Sequence, residues 1–308
     1  MSALAFVLVA LLLVGPVPAL LARASWPMRA PRAAIVLWQS IAAAAVLSAF
    51  SAGLAIASRL FVPGPDGRPT ATITSETQVL GWPLWLAYVS VFALTLLIGG
   101  RLAVAVVQVA IATRRRRAHH RTVVDLLGDC RHGMNGLRVL HVSEPLAYCL
   151  PGVRSRVILS EGTLSALSDP ELVAILSHER AHLRARHDLV LEAFIAAHTA
   201  FPRFVRSGSA LAAVRLLVEM LADDAAVRAA GPAPLARALV ACAAGHTPSG
   251  ALAAGGPTTV IRVQRLAGRP NSGWLSMAAY TAAAAVLFVP TVAVAVPWLT
   301  ELHRLFAT

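Results

Sequence analysis

Leu176-Ser177-His178-Glu179-Arg180-Ala181-His182-Leu183 carries the pattern HExxH, and the chain is organised around it. On a helix, His178 and His182 lie a little over one turn apart and project from the same face. Two imidazole nitrogens placed in this way can occupy two corners of a tetrahedral zinc site. Glu179 sits one position round from the first ligand, where it can take a proton from a metal-activated water as general base. The approach to the motif reads as a helix start. Ser168-Asp169-Pro170-Glu171 combines a capping box with proline in the first turn. Leu172, Val173, Ile175, Leu176 and Leu183 supply the apolar contacts behind it.

HExxH needs a third ligand. Glu219-Met220-Leu221-Ala222-Asp223 lies downstream as an ExxAD sequence, within a second helical run expected over Val214 to Ala230. Zinc hydrolases of this kind take three protein ligands and leave the fourth position to water. Glu219 is the candidate third ligand. Asp223, one turn on and on the same face, can hydrogen-bond a ligand histidine and fix its tautomer. The competing reading is an acidic helix face paired with Arg215 and Arg228. The presence of HExxH favours the metal reading.

Composition places this site in a membrane frame. The 308 residues are 57% hydrophobic, with a net charge of +12 and a mean hydropathy of +0.68, well above a soluble protein. The basic residues are all arginine, and they cluster at the ends of apolar runs. That pattern fits membrane anchoring better than nucleic-acid binding, and no direct nucleic-acid contact is expected. Cys130, Cys149 and Cys242 show no metal-type spacing and read as reduced thiols.

Four apolar runs are long enough to cross hydrocarbon: residues 2–22, 33–58, 82–112 and 274–298. Arg23, Arg29 and Arg32 follow the first run, Arg114 to Arg117 the third, and Arg262, Arg265 and Arg269 precede the fourth. By the positive-inside rule both termini lie outside and the central region is cytoplasmic. Phe61 to Gly81 reads as a short external loop, with Trp82, Trp85 and Tyr88 as interfacial anchors beyond it. In the charged central region, strands are expected at Leu137 to Val142 and Arg156 to Leu159. Tyr148 to Gly152 reads as a turn between them, and a helix follows Ser160. A sheet edge near Leu137 to Leu159 is a candidate platform for an extended substrate. Leu189 to Phe204 reads as a buried helix, and Gly245 to Pro257 as looser structure.

HExxH, ExxAD, the stretch Tyr148 to Asp188, and three spans before the domain with one after it resemble the membrane metallopeptidases of the BlaR/MecR antibiotic-sensor type. The resemblance implies a gluzincin-like α+β domain with His178, His182 and Glu219 as zinc ligands, Glu179 as base and Asp223 behind the ligands. It further implies cytoplasmic proteolysis, often of a winged-helix repressor. Two departures stand out. The sensors carry an external penicillin-binding domain, whereas about ten residues follow the last run here. Many relatives also have aspartate where His187 stands, with Asp188 one place later. HtpX and CaaX-type proteases share both motifs but order their spans differently. A non-catalytic membrane regulator is the alternative from another class, and the intact motif speaks against it.

The expectation is a mainly α, multi-pass membrane protein. Residues 1–113 hold three transmembrane helices, 114–270 a cytoplasmic zinc metallopeptidase domain, and 271–308 a fourth helix and short tail. The expected function is Zn2+-dependent cleavage of a regulatory protein, or of the chain itself. Oxyanion stabilisation has no evident donor: helical periodicity turns Arg228 away from the ligand face, while His187 and His198 are candidates whose competing reading is a capping or core role.

Overall fold

The first apolar run is divided by Gly15 and Pro16 into two helices, α1 (Ser2–Val14) and α2 (Pro16–Arg23), because proline cannot continue the hydrogen-bond ladder. The computed structural model describes residues 2–60, 62–63, 69–70, 73–130, 136–152, 155–202, 207–243, 252–253, 258–268, 271–292, 296, 299–300 and 303. A 3-10 turn at Trp26–Arg29 leads into α3 (Pro31–Ala57). Beyond it come β1 (Val62–Pro63), β2 (Pro69–Thr70) and α4 (Ile73–Leu80). The expected loop from Phe61 to Gly81 thus contains a small hairpin and a helix, with its other residues outside those described. Trp85 donates its indole N–H to the buried Glu76 carboxylate, which ties α4 to the start of the next helix.

That helix, α5 (Trp82–Leu127), runs unbroken for 46 residues, about 69 Å at 1.5 Å per residue. The expected span ended at residue 112, with the arginine run as its stop. The helix does not end with the apolar run: it continues through Arg114–Arg117 into the peptidase region. Arginine is a good helix former, so the end of apolarity is not the end of the helix. Arg117, His120, Arg121 and Val124, spaced by three or four residues, form its inward stripe. Arg117 bonds Asp188 and Glu192, His120 the Tyr148 hydroxyl, and Arg121 the Pro151 carbonyl.

Next in the chain is a five-stranded sheet, built from β3 (Gly128–Cys130), β4 (Leu137–Leu140), β5 (Ala147–Leu150), β6 (Arg156–Ser160) and the two-residue β7 (Leu252–Ala253). The order is β3-β4-β6-β5-β7, with β4 and β6 parallel and the other pairs antiparallel. Two expectations are overturned here. Tyr148, Cys149 and Leu150 are strand, with the turn confined to the residues after Leu150. The segment Leu137 to Leu159 also offers no fully free edge, because β7 pairs with Tyr148 and Cys149 on the outer side of β5. Gly245 to Pro257 otherwise lies outside the described residues.

The remaining helices are α6 (Glu161–Ala166), α7 (Asp169–Ala185), α8 (His187–Ala200), α9 (Ser207–Ala230), α10 (Pro232–Cys242), α11 (Thr259–Leu266) and α12 (Gly273–Pro290). Two cores form. One joins Trp38, Ile41 and neighbours on α3 with Phe194 on α8 and Val214, Val218 and Met220 on α9. The other packs Leu137, Val157 and Leu159 of the sheet against Ile175, Ala226, Leu235 and Leu239 of the helices. Since α9 contributes to both, its middle, where Glu219 stands, lies at their junction.

Among the described residues three helical stretches are long and apolar enough to cross a membrane: Leu4–Arg23, Pro31–Ala57 and Trp82–Leu127. In the run expected as a fourth span, α12 has 18 residues and reaches about 27 Å, a little short of a 30 Å hydrocarbon core. It packs through Ala279 and Leu275 against Ala30 and Ala33 at the start of α3. Most of residues 293–298 lie outside the described set. The result is a mainly helical, multi-pass membrane protein with an α+β region holding a small mixed sheet.

Candidate metal centre

The Ser168 N–H donates to the Glu171 carboxylate at 2.9 Å in the capping box that starts α7. Arg237 of α10 holds the other Glu171 oxygen. This fixes the rotation of α7, and with it the direction of its inner face. His178, Glu179 and His182 on that face are almost entirely buried. The helix ends at Arg186 in the left-handed region, with φ 51, a conformation that costs a non-glycine residue about 1–2 kcal/mol. That reversal starts α8 immediately and returns His187 to the site.

α9 packs across α7 and brings in Glu219. His178 Nε2 and His182 Nε2 are 3.2 Å apart. Glu219 places Oε2 3.4 Å from the first and Oε1 3.6 Å from the second. These spacings suit a zinc ion: ligand bonds of about 2.0–2.1 Å in a tetrahedron put donors about 3.3–3.4 Å apart. Two imidazole nitrogens and one carboxylate also match the chemistry of a zinc site with one open position. Both Glu179 oxygens are buried, next to the Cys149 thiol, in the place a general base needs.

The surroundings divide the two histidines electrostatically. His178 Nδ1 lies 3.0 Å from Asp223 Oδ1. Burial opposes charge on His178, but Asp223 and Glu219 together raise it to about 9. Burial lowers His182 to about 3, and its Nδ1 meets His187 Nδ1 at 3.0 Å. Burial lifts Glu179 to about 7. The Glu219 carboxyl is held below its usual range despite burial, by His182, His178 and Arg262.

The profile of peptidase family M48 matches residues 115–270, half of the chain. The chain belongs to peptidase family M48. No match was found among curated proteins or among solved structures. As an M48 peptidase it is a zinc metalloprotease, and His178, His182 and Glu219 are its candidate metal site. The family match identifies the peptidase family and not the antibiotic-sensor type.

Of the residues singled out in the sequence, His178, Glu179, His182, Glu219 and Asp223 come together. Arg228 is exposed, consistent with its periodicity. His198 bonds Ser207 Oγ at 2.9 Å and serves the α8–α9 connection. Three further side chains adjoin this M48 site, of which only Arg262 has no site role in the sequence reading. His187 stands behind His182. The buried Cys149 of β5 faces Glu179, and burial, followed by that carboxylate, pushes its thiol well up. Arg262 of α11 binds Asp223 through two hydrogen bonds, at 2.8 and 2.6 Å. Nothing in the uniformly apolar and buried run Ala147–Leu150 sets Cys149 apart from its neighbours. No local pattern marks Arg262, which lies 39 residues beyond Asp223 and beside arginines expected to mark membrane topology.

Proposed function

We propose that this M48 membrane peptidase is an endopeptidase whose active site faces the cytoplasm and which cleaves a regulatory protein, or itself. The observation carrying the reading is the convergence of His178, His182 and Glu219 beside the buried Glu179 carboxylate. When bound there, zinc supplies Lewis-acid polarisation of the scissile carbonyl and lowers the pKa of the attacking water. Glu179 then accepts that water's proton and delivers it to the leaving amine. Its raised pKa suits both halves of this transfer. His178, His182 and Glu219 hold the metal, and Asp223 orients His178 through Nδ1.

The cytoplasmic placement is supported by the arginines flanking the spans and by contacts from the first interhelical turn. Arg265 of α11 donates to the Met28 carbonyl, and Ser272 N to the Arg29 carbonyl. These contacts support placing the turn between the first two spans and the peptidase region on one side of the bilayer. The three-then-one order of apolar runs, with α12 as the fourth span, favours a sensor-type arrangement over the HtpX or CaaX type. A repressor-like substrate follows from that resemblance.

The test is zinc content and self-cleavage of the detergent-purified full chain, wild type beside Glu219→Ala and Glu179→Ala. Near-stoichiometric zinc is expected in wild type and Glu179→Ala, and markedly less in Glu219→Ala, with cleavage in wild type alone. No zinc in wild type under metal-replete conditions would favour a non-catalytic regulator. Zinc without self-cleavage would direct attention to a substrate in trans.

A further inference from the structure

We infer that Arg262 is a positioning residue of the metal centre, holding the candidate third ligand Glu219 and the histidine-orienting Asp223 in fixed relation; this rests on the zinc reading above. The guanidinium is 1% exposed. Its Nε and Nη2 donate to the two Asp223 oxygens, while Nη1 lies 3.0 Å from Glu219 Oε2. Glu219 and Asp223 are one turn apart on α9, where like charges repel. Glu179 adds a third carboxylate to the same water-poor space. One guanidinium and one divalent cation balance these three carboxylates, so the loaded centre is neutral. Without Arg262, Glu219 and Asp223 are left to repel each other, to rotate apart or to take up protons.

The planar fork matters as well as the charge. Arg262 hydrogen-bonds both Asp223 oxygens and lies in ion-pair contact with Glu219 Oε2, which faces His178, while Glu219 Oε1 faces His182. A lysine ammonium would supply a point charge without that fixed geometry. Arg262 is itself held in place. One turn along α11, Arg265 binds Asp224, the neighbour of Asp223, together with Asn271 and the Met28 carbonyl. Consecutive aspartates of α9 thus each grip one arginine of α11, which fixes its rotation and delivers the Arg262 guanidinium to the site.

The test uses the full-length detergent-purified protein. Zinc affinity is measured by chelator competition, and the visible spectrum of the Co2+-substituted protein is recorded, for wild type, Arg262→Met and Arg262→Lys. The expected losses are about 10–100-fold in zinc affinity for Arg262→Met and a smaller loss for Arg262→Lys, with altered Co2+ bands in both. A residue that only pins α11 would lower thermal stability while leaving affinity and Co2+ spectrum unchanged. That outcome overturns the inference. Should Arg262→Met fail to fold, Arg262→Lys decides: wild-type affinity and spectrum in that variant refute positioning by the fork. Failure of wild type to bind zinc is a different result and removes the metal reading itself.

Discussion

Replacing Arg117 with methionine removes the guanidinium that joins α5 to α8 while retaining much of its apolar stem. Arg117 Nη1 lies 3.1 Å from Asp188 Oδ2 and 2.8 Å from Glu192 Oε1, and the Asp188 side chain is only 2% exposed. Removing one partner of a buried pair strands the other charge and costs about 3–5 kcal/mol. Two features place this case at the lower end. Glu192 is 17% exposed, and Arg186 Nε remains 3.5 Å from the second Asp188 oxygen. A loss of about 3 kcal/mol corresponds to roughly 6–12 °C in Tm for a region of 150–250 residues. Thermal unfolding in detergent, followed by tryptophan fluorescence, should show this drop for Arg117→Met. The neighbouring, exposed Arg116→Met should stay within about 0.5 kcal/mol of wild type. Adding Asp188→Asn and Glu192→Gln to Arg117→Met should recover most of the loss, because the stranded charges disappear. Equal melting of Arg117→Met and Arg116→Met would refute the ion pair as a structural joint and return the whole run to a membrane-topology role.

Other outcomes rest on the same geometry. Glu179→Gln should retain zinc and lose about 10²–10⁴-fold in peptidase rate; wild-type kcat/KM should rise with pH on an acidic limb at or below about 7, since burial raises Glu179 to that value and a bound cation lowers it. Zinc uptake by metal-free protein at pH 8 should release about one proton, because His178, raised to about 9, is charged there and must lose its proton, whereas His182, at about 3, is already neutral. Calorimetry in buffers of different ionisation enthalpy measures this after the proton of the metal-bound water is accounted for, and no release from His178 would contradict the assigned environments. Cys149, buried with its thiol pushed up, should resist maleimide at pH 8 in the folded protein and react in denaturant. Gly53→Ala should destabilise the packing of α3 on α5, since a Cβ there overlaps the Thr95 hydroxyl and Cβ, and that hydroxyl is tied to the Val91 carbonyl. Gly99→Ala, which meets only the rotatable tip of the Phe50 ring, should be tolerated better, and comparison of the two melting temperatures decides.

The parts of the site legible in the sequence are those whose geometry is local. His178 and His182 share a helix face by spacing alone, and so do Glu219 and Asp223. What spacing cannot supply is the meeting of separate elements. Arg262 reaches Asp223 because α11 folds back on α9, and His187 reaches His182 because Arg186 adopts a left-handed turn. The strand β5 was hidden for another reason. Four apolar residues directly before Pro151-Gly152 carry too short a signal to outweigh a strong turn pair. For α5, hydropathy located the end of the apolar surface, whereas the backbone obeys helix propensity and the docking of Arg117, His120, Arg121 and Val124.

The unbroken α5 also makes the protein a lever. From Trp82, one turn before the Trp85 that bonds Glu76, to Leu127, which leads into the first strand of the sheet, a single rod of about 69 Å connects the two ends. A 5° tilt about its midpoint moves each end by about 3 Å. That is the scale of the donor spacings between His178, His182 and Glu219. A tilt of the rod would be felt first where its inner end grips the peptidase region, at Asp188, Tyr148 and Pro151.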